Sequence, residues 1–570
     1  MKRYETDVLI IGGGGAATAA TISAHESGAR TMMAVKGQFG VAGKRGAGAT
    51  SNPLGDFWTM RTVGPKGGFI NPPELVLRDM LQAGLGMADP DLCRLWVQEV
   101  GAAIQRLEEM GLKLKSKFFA TMPADEKDGT NNIVNTQKAI IEGTNTQVVQ
   151  RANIVDLIVE NGRCLGAVGI DDNGEPLLFE AGAVVLAAGG VGQLFLYSFN
   201  PAGNTGDAYA MALRAGAELF NMEFMQQGLA TTWPAQAMVM LYDMDKPYRL
   251  VNAHGKAFVE DYLPPGVSLA DVSKVKAIHW PVSGRDATIH LDRAIKGEVL
   301  KGNATAHDGV FLDLSEAKRG FEPGLFEPFM LSRGIDVRRD LVQIQNHHHT
   351  SNGGLRIDRD AQTNITGLFA AGEAAGWQGA DRLGGTMLSG SQVFGWRAGA
   401  KAAQVAAAKP GANVPDSAAD PVAERAARFS QAAGDQTPMA LRARLQRAMW
   451  ETLLVEKDAE SLCRAKRHVE EQRGLLAHRL RIAEPLDLAL AFEHRNLLDV
   501  AEAIIAAAAL RTESRGSHYR SDYPQRNDQQ WLTNIFITGT NGSLSLRKLW
   551  VAAEAGWVDQ PGDIRIKPWG

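Results

Sequence analysis

VLIIGGGGAATAATISAHESGARTMMAVK, residues 8–36, decides the fold of this chain. Val8 to Ile11 is a short apolar run with β-branched residues, the pattern of a buried parallel strand. Four glycines follow, then a small-residue helix pattern from Ala17 to Ser27 that stops at Gly28. Thr31 to Val35 closes a strand–helix–strand unit. Within it, Gly12, Gly14 and Ala17 form a GxGxxA fingerprint. The first glycine permits the turn, and the second lets a pyrophosphate reach the backbone. The small alanine lets helix and strand pack closely. Phosphates would sit at the helix N-terminus beside Gly14 and Gly15, where free N–H groups point at anions. Lys36 ends the second strand where a nicotinamide-binding unit carries a ribose carboxylate, so NAD is disfavoured.

Two later segments read as strands of the same sheet. Ala183 to Leu186 runs into Ala187-Ala188-Gly189-Gly190, and Gly367 to Ala371 runs into Gly372-Glu373-Ala374. Small residues at strand ends suit close approach to a cofactor, and Glu373 is placed to accept from ribose hydroxyls. The expected fold class is α/β: a Rossmann-like FAD-binding domain with an inserted α+β capping domain and a C-terminal helical domain. The expected bounds are 1–230 and 346–408 for the first, 231–345 for the cap and 423–570 for the helices. A Pro/Ala/Asp-rich linker spans 409–422.

The chain has 570 residues, a length that predicts several domains at about 150 residues each. A net charge of −4 argues against a general nucleic-acid binder. Cys93, Cys164 and Cys463 lie far apart with no CxxC, which excludes an internal four-cysteine cluster and a disulfide framework. Apolar runs are too short to span a bilayer, and the charged start leads straight into a strand. A cytoplasmic protein without direct membrane insertion is expected.

Seven further motifs stand in one order. They are NTGDAYAMALRAGAELFNMEF at 204–224, LVNAHGKAFVEDY at 250–262, GVFLDLS at 309–315, HTSNGG at 349–354, GLFAAGEAAG at 367–376, GADRLGG at 379–385 and TESRGSHYRSDYPQRND at 512–528. In this the chain resembles the flavoprotein subunits of succinate dehydrogenase and fumarate reductase, with L-aspartate oxidase and the adenylylsulfate reductase flavoprotein. The resemblance implies FAD, with Glu373 as a flavin ligand and Asp207 of the NTGD segment as a weaker candidate. Lys36, Ala188, Gly189 and Leu388 complete the expected cofactor contacts. No histidine stands near Lys44-Arg45-Gly46 to carry the flavin covalently, so noncovalent FAD is expected.

The resemblance also places a small anionic substrate against flavin N5. Arg382 matches the family arginine that clamps a carboxylate, a task for a planar, permanently charged fork. The alternative for Arg382 is a salt bridge with Asp381. His349 matches a histidine on the other carboxylate. It ends the run His347-His348-His349, of which at most two can share a strand face, and no metal site is expected. Asn52 is either a substrate contact or a turn former, and Trp233 either a substrate cover or core packing. Arg285 and Asp286 read as a structural ion pair.

Departures limit what carries over. The family FHPTG histidine is missing after Met222-Glu223-Phe224, where Met225-Gln226-Gln227-Gly228 stands. The proton-shuttle arginine aligns with Met244, leaving Lys246 or Arg249 only if the loop runs differently. The family NSLLD has become Thr386-Met387-Leu388-Ser389-Gly390. The expected activity is therefore hydride transfer on a carboxylate-bearing substrate other than plain succinate or fumarate. One alternative is a flavoprotein like that of adenylylsulfate reductase, working with a ferredoxin-like iron–sulfur partner. The other is a flavin-binding protein without turnover.

Overall fold

The computed structural model describes residues 1–41, 45–46, 48–51, 71–117, 120–123, 131–237, 248–276, 286–316, 326–408, 413–540 and 543–550. Its largest sheet is built around β1 (Lys2–Ile11). On one side lie β2 (Thr31–Val35) and β5 (Gln147–Gln150). On the other lie β8 (Pro176–Leu186), β7 (Arg163–Asp171) and β6 (Ala152–Glu160). The four expected strands do share this sheet. β1 pairs in parallel with β2 and β8, and β15 (Leu368–Ala370) pairs in parallel with the end of β8. Leu9 faces Val184, and Val184 in turn faces Leu368. β1 begins six residues before the apolar run at Val8. Its outer half is partly exposed and gains its order from pairing, Lys2 opposite Leu177.

Gly12 ends β1 at a φ of +134°, a conformation glycine adopts without strain. A Cβ there would stand 2.3 Å from the Ala187 carbonyl oxygen. The helix Gly15–Glu26 is buried through Ala24 and packs on the long helix Thr386–Ala408. Gly395 and Gly399, one turn apart, admit the backbone of Ala16 and Ala20; added Cβ atoms would lie 2.6 and 2.2 Å from those carbonyls.

A second, antiparallel sheet carries β10 (Met225–Trp233), β13 (Val342–Ser351), β12 (Val310–Asp313) and β11 (Arg249–Val251), in that order. Its core is separate, formed by Leu250, Phe258, Leu291, Ile295, Leu312 and Ile344. The expected cap boundaries at 231 and 345 fall inside β10 and β13. These paired strands run unbroken from the cap to the flavin half, so their hydrogen bonds cross both boundaries.

The C-terminal region holds the helices Asp420–Ser430, Pro438–Leu453, Ala459–His478 and Pro485–Leu510. The helical expectation for 423–570 is incomplete. β16 (Thr533–Thr540) and β17 (Ser543–Trp550) form a hairpin that joins β9 (Leu219–Phe220) and β14 (Gly354–Leu355). Ile535 and Ile537 are fully buried there, which supplies the stabilisation for the return. The described part of the expected linker is likewise packed. Val414, Ala419 and Val422 are buried, and Asp416 pairs with Arg3 at 2.9 Å. A hairpin of β3 (Leu114–Lys117) and β4 (Ala120–Pro123) completes the strands.

Cap and C-terminal helices meet through buried cations. Arg293, on the cap helix Ile289–Leu300, pairs with both oxygens of Glu456 at 2.7 and 3.0 Å. Lys296, one turn on, donates to the carbonyls of Leu454 and Glu456. Burial pulls the Lys296 ammonium from its ordinary 10.5 to about 8, against the opposing charge of Glu456. The unfolded chain therefore binds more protons than the native one between these values, and stability rises with pH across that window. In denaturant unfolding at fixed pH, the wild type should gain on Lys296→Met from about pH 8 to about pH 10.5. A difference that does not move with pH would refute the assignment.

Candidate active site

The parallel strands end at one sheet edge, where an open α/β sheet takes its ligands. Gly12 to Gly15 turn there into the helix whose N-cap, Gly14, makes no side-chain cap. The Gly14 position is open: an added Cβ would have Gly48 Cα, at 3.6 Å, as its nearest neighbour. Ala188, Gly189 and Gly190 follow β8, and a Cβ on Gly190 would stand 2.4 Å from Glu373 Oε1. Glu373 lies just past β15. Its Oε1 accepts from the Thr350 hydroxyl and the Ser351 N–H, both at 3.0 Å. Its own carbonyl accepts from Tyr209 at 2.5 Å. Burial pushes the carboxyl of Glu373 up, and the Ser351 and Thr350 donors offset part of that. Leu388 sits half-buried on the first turn of the helix Thr386–Ala408.

Lys36 and Asp207 meet each other. Lys36 Nζ lies 2.5 Å from Asp207 Oδ2, 2.6 Å from the Thr205 hydroxyl and 3.2 Å from Glu493. Asp207 Oδ1 accepts from Thr205 and Asn496 at 2.9 Å each. Both oxygens of Asp207 are thus engaged by protein, and Asp207 opens its helix after Gly206. Burial alone would raise Glu493, but Lys36, Arg442 and Arg45 outweigh it and hold this carboxyl well below the usual range.

Arg382 lies in the loop between β15 and the helix Thr386–Ala408, 4% exposed. Its guanidinium donates to the Leu383 carbonyl at 3.4 Å, a long bond, and Nε has no partner. Among the described residues it forms no ion pair, so the expected alternative, a salt bridge with Asp381, does not form. Asp381 instead accepts the Arg382 backbone N–H at 2.8 Å. Burial pulls the guanidinium down to about 10, with Glu373 and Asp381 opposing. It therefore stays charged at neutral pH.

His349 is delivered by a β-bulge. Gln226 faces Thr350 and Gln227 faces His348, so His349 is the extra residue on β13. Its carbonyl accepts from Asn200 at 2.9 Å, and its ring meets Phe199 edge-on at 5.6 Å. Burial, then the charge of Arg382, holds its imidazole well below the ordinary value, so the ring is neutral. His347 also meets Phe199, whereas His348 stacks on Phe195 at 4.8 Å. Among the described residues no group of three His, Cys, Asp or Glu is placed to hold a metal ion.

The structure brings Arg382, His349 and Glu373 together and leaves Trp233 apart. Trp233 is 44% exposed and stacks on His307 at 5.6 Å. It stands seven residues along β10 from Gln226, about 20 Å at strand rise. It is therefore neither core nor a cover for Arg382. Asn52, Met244, Lys246 and Arg285 lie outside the described residues. Arg249 starts β11 exposed, opposite Asp313, and Asp286 accepts the Thr288 N–H ahead of its helix. Sequence reading passed over Gln226, which donates to Asp381, and Thr350. The available signal was position: Thr350 lies inside the 349–354 motif and Gln226 two residues past the 204–224 motif.

The C-terminal signature supports the Arg382 loop from behind. The Ser517 N–H and hydroxyl bond the Ala380 carbonyl at 3.0 and 3.1 Å. Arg511, Glu223, Glu513 and Arg515 form a fully buried ion network at 2.6 to 3.0 Å beneath it. Gln227 and Asn352, both 1% exposed, keep side-chain N and O atoms without hydrogen-bond partners. Buried amides of this kind call for a polar ligand. With the glycine cradle and Glu373, they fit a dinucleotide carrying a polar ring.

Comparison with known proteins agrees. A model described as FAD binding domain matches residues 7–388, and one described as fumarate reductase flavoprotein C-term matches residues 442–555. An uncharacterized FAD-dependent oxidoreductase of Methanocaldococcus jannaschii is 30% identical over 562 residues, 96% of this chain and 97% of that one. A second relative, from Methanothermobacter marburgensis, is one of the subunits of the CoM/CoB fumarate reductase. It is 29% identical over 568 residues, 94% of this chain and 97% of the relative. The solved structure of Mycobacterium smegmatis Sdh1 in complex with UQ1 superposes with a TM-score of 0.80 at 27% identity, covering 96% of this chain and 94% of that one. No helix among the described residues is long and apolar enough to cross a membrane. The chain is an FAD-dependent oxidoreductase and belongs to the family of the fumarate reductases, succinate dehydrogenase flavoproteins and L-aspartate oxidases.

Proposed function

We propose that the protein oxidises or reduces a small carboxylate-bearing substrate other than plain succinate or fumarate, with Arg382 as the anion clamp. The observation that carries this reading is a buried guanidinium without an ion pair among the described residues. An uncompensated buried charge is costly, typically about 3–5 kcal/mol. A substrate carboxylate removes that cost, because its two oxygens match the guanidinium fork.

When bound, FAD supplies a two-electron acceptor or donor for hydride at its N5. The glycine turn at Gly12 to Gly15 and the strand ends at Ala188, Gly189 and Glu373 would hold it noncovalently. Arg382 binds and orients the substrate carboxylate. His349, neutral at physiological pH, gives or accepts a hydrogen bond without adding charge. It is a poor proton source there, since its imidazolium is suppressed.

Electrons must leave the flavin through another molecule. The three cysteines cannot hold a cluster, and the described ones, Cys93, Cys164 and Cys463, stand apart. A ferredoxin-like iron–sulfur partner is consistent with the Methanothermobacter relative being one part of a larger enzyme.

Succinate added anaerobically should leave the flavin oxidised, and fumarate should not reoxidise the dithionite-reduced protein, whereas a carboxylate-bearing true substrate bleaches it. Rapid bleaching by succinate would overturn the exclusion of the plain dicarboxylate. Arg382→Ala should keep the flavin absorbance and raise KM by about 100-fold or more; unchanged KM would place the clamp elsewhere. Glu373→Gln should weaken flavin retention by about tenfold on gel filtration, and undiminished retention would remove Glu373 as a ligand.

A further inference from the structure

Only two buried amides among the described residues, Gln227 and Asn352, leave both the side-chain nitrogen and the side-chain oxygen without a hydrogen-bond partner. Asn352 is the one placed beside Glu373. It follows Thr350 and Ser351, whose hydroxyl and backbone N–H respectively donate to Glu373 Oε1. Its own backbone N–H donates to the Phe224 carbonyl at 2.9 Å, which fixes the chain at this point. The residues after it run against the Glu373 segment. Leu355 pairs with Ala375, and the Gly376 N–H reaches the Leu355 carbonyl at 3.0 Å. A Cβ on Gly354 would stand 2.7 Å from the Ala374 carbonyl oxygen. Gln227 instead stands opposite His348, farther along β10.

A buried amide without partners carries the desolvation cost of both its polar atoms, so it calls for a ligand that offers an acceptor and a donor side by side. FAD has such an edge. The pyrimidine part of its ring presents an N–H flanked by carbonyls, and a primary amide complements that imide with one donated and one accepted bond. We propose that the Asn352 side chain binds the imide edge of the flavin ring and, through the bond it donates, raises the reduction potential of the cofactor. Reduction places negative charge on that ring, and a donated hydrogen bond stabilises a charged form more than a neutral one. Loss of the amide therefore lowers the potential. The inference rests on FAD binding at this sheet edge and is independent of the Arg382 clamp.

The test reads flavin binding and potential in the full-length protein, not turnover. Asn352→Leu keeps the approximate size of the side chain and removes both polar atoms. The flavin-free variant should melt at or above the wild-type Tm, because unpartnered polar atoms have left the interior. It should bind FAD about tenfold more weakly. Its midpoint potential, read by equilibration with a reference dye, should fall by about 30 mV, a tenfold change in the reduction equilibrium of a two-electron couple. FAD methylated at the ring N3 is a second probe. Wild type should bind it about tenfold or more weakly than FAD, since the imide N–H is gone. Asn352→Leu should bind the two cofactors within about threefold of each other. Asn352→Ala gives the same measurements where leucine does not fit the fold. Wild-type affinity and potential in these variants, or undiminished discrimination against the methylated cofactor, would overturn the proposal. Weaker FAD binding at an unchanged potential would overturn it too, by placing the amide on the adenine, whose edge has a similar pattern. A wild type that binds no FAD would fail the cofactor site itself, whereas undiminished FAD binding in the variants removes only the role of Asn352.

Discussion

Parallel pairing of β1, β8 and β15 is the constraint from which the site follows. Parallel strands end on the same edge, so the loops after Ile11, Leu186 and Ala370 are gathered although they are far apart in the chain. That edge collects the glycine turn, the Ala188 to Gly190 segment and Glu373. Two long helices must then lie close beneath it, and Gly395 and Gly399 against Ala16 and Ala20 make that approach possible. A side chain at either glycine would push the helix Thr386–Ala408 away. That helix follows the Arg382 loop directly, so the glycine turn and the Arg382 loop depend on the same packing.

Charge is managed differently in the two halves. Around Glu493, Lys36, Arg45 and Arg442 converge on one buried carboxylate and stabilise its ionised form. Beneath the 380–382 loop, Arg511 and Arg515 are matched by Glu223 and Glu513. Arg382 stands between these neutralised networks without a matching ion pair among the described residues. In this Arg382 differs from the buried guanidiniums of Arg442, Arg511 and Arg515, each of which is paired with a carboxylate. The buried His347 and His348 and the half-buried His349 add hydrogen-bonding surface but no charge, because desolvation lowers all three.

The cap is continuous with the body. β10 and β13 cross from one to the other, and the bulge opposite Gln226 lies at that crossing. Arg293 and Lys296 tie the far side of the cap to the segment around Glu456. The cap is therefore tied to the strand that carries His349.

Much of this was legible in order along the chain. The strand–turn–helix unit at residues 8–36, the two later strands and the C-terminal helices all follow from hydrophobic period and glycine placement. Glu373, Arg382 and His349, which the structure brings together, stand out in the sequence because motif spacing carries them, and spacing is a local property. The hairpin of β16 and β17 was not legible, since its stabilisation comes from burial against β9, some three hundred residues earlier. The pairing of Lys36 with Asp207 was not legible either: each reads as a ligand contact alone, and only folding brings them together. Trp233 looked close to the site because it is close in sequence, but an extended strand carries it away at about 3.3 Å per residue. The sequence by itself determined the cofactor fold and the family. Tertiary structure alone decided which charges cancel and which remain, because ion pairing depends on distance in space and burial, and neither is written in the order of residues.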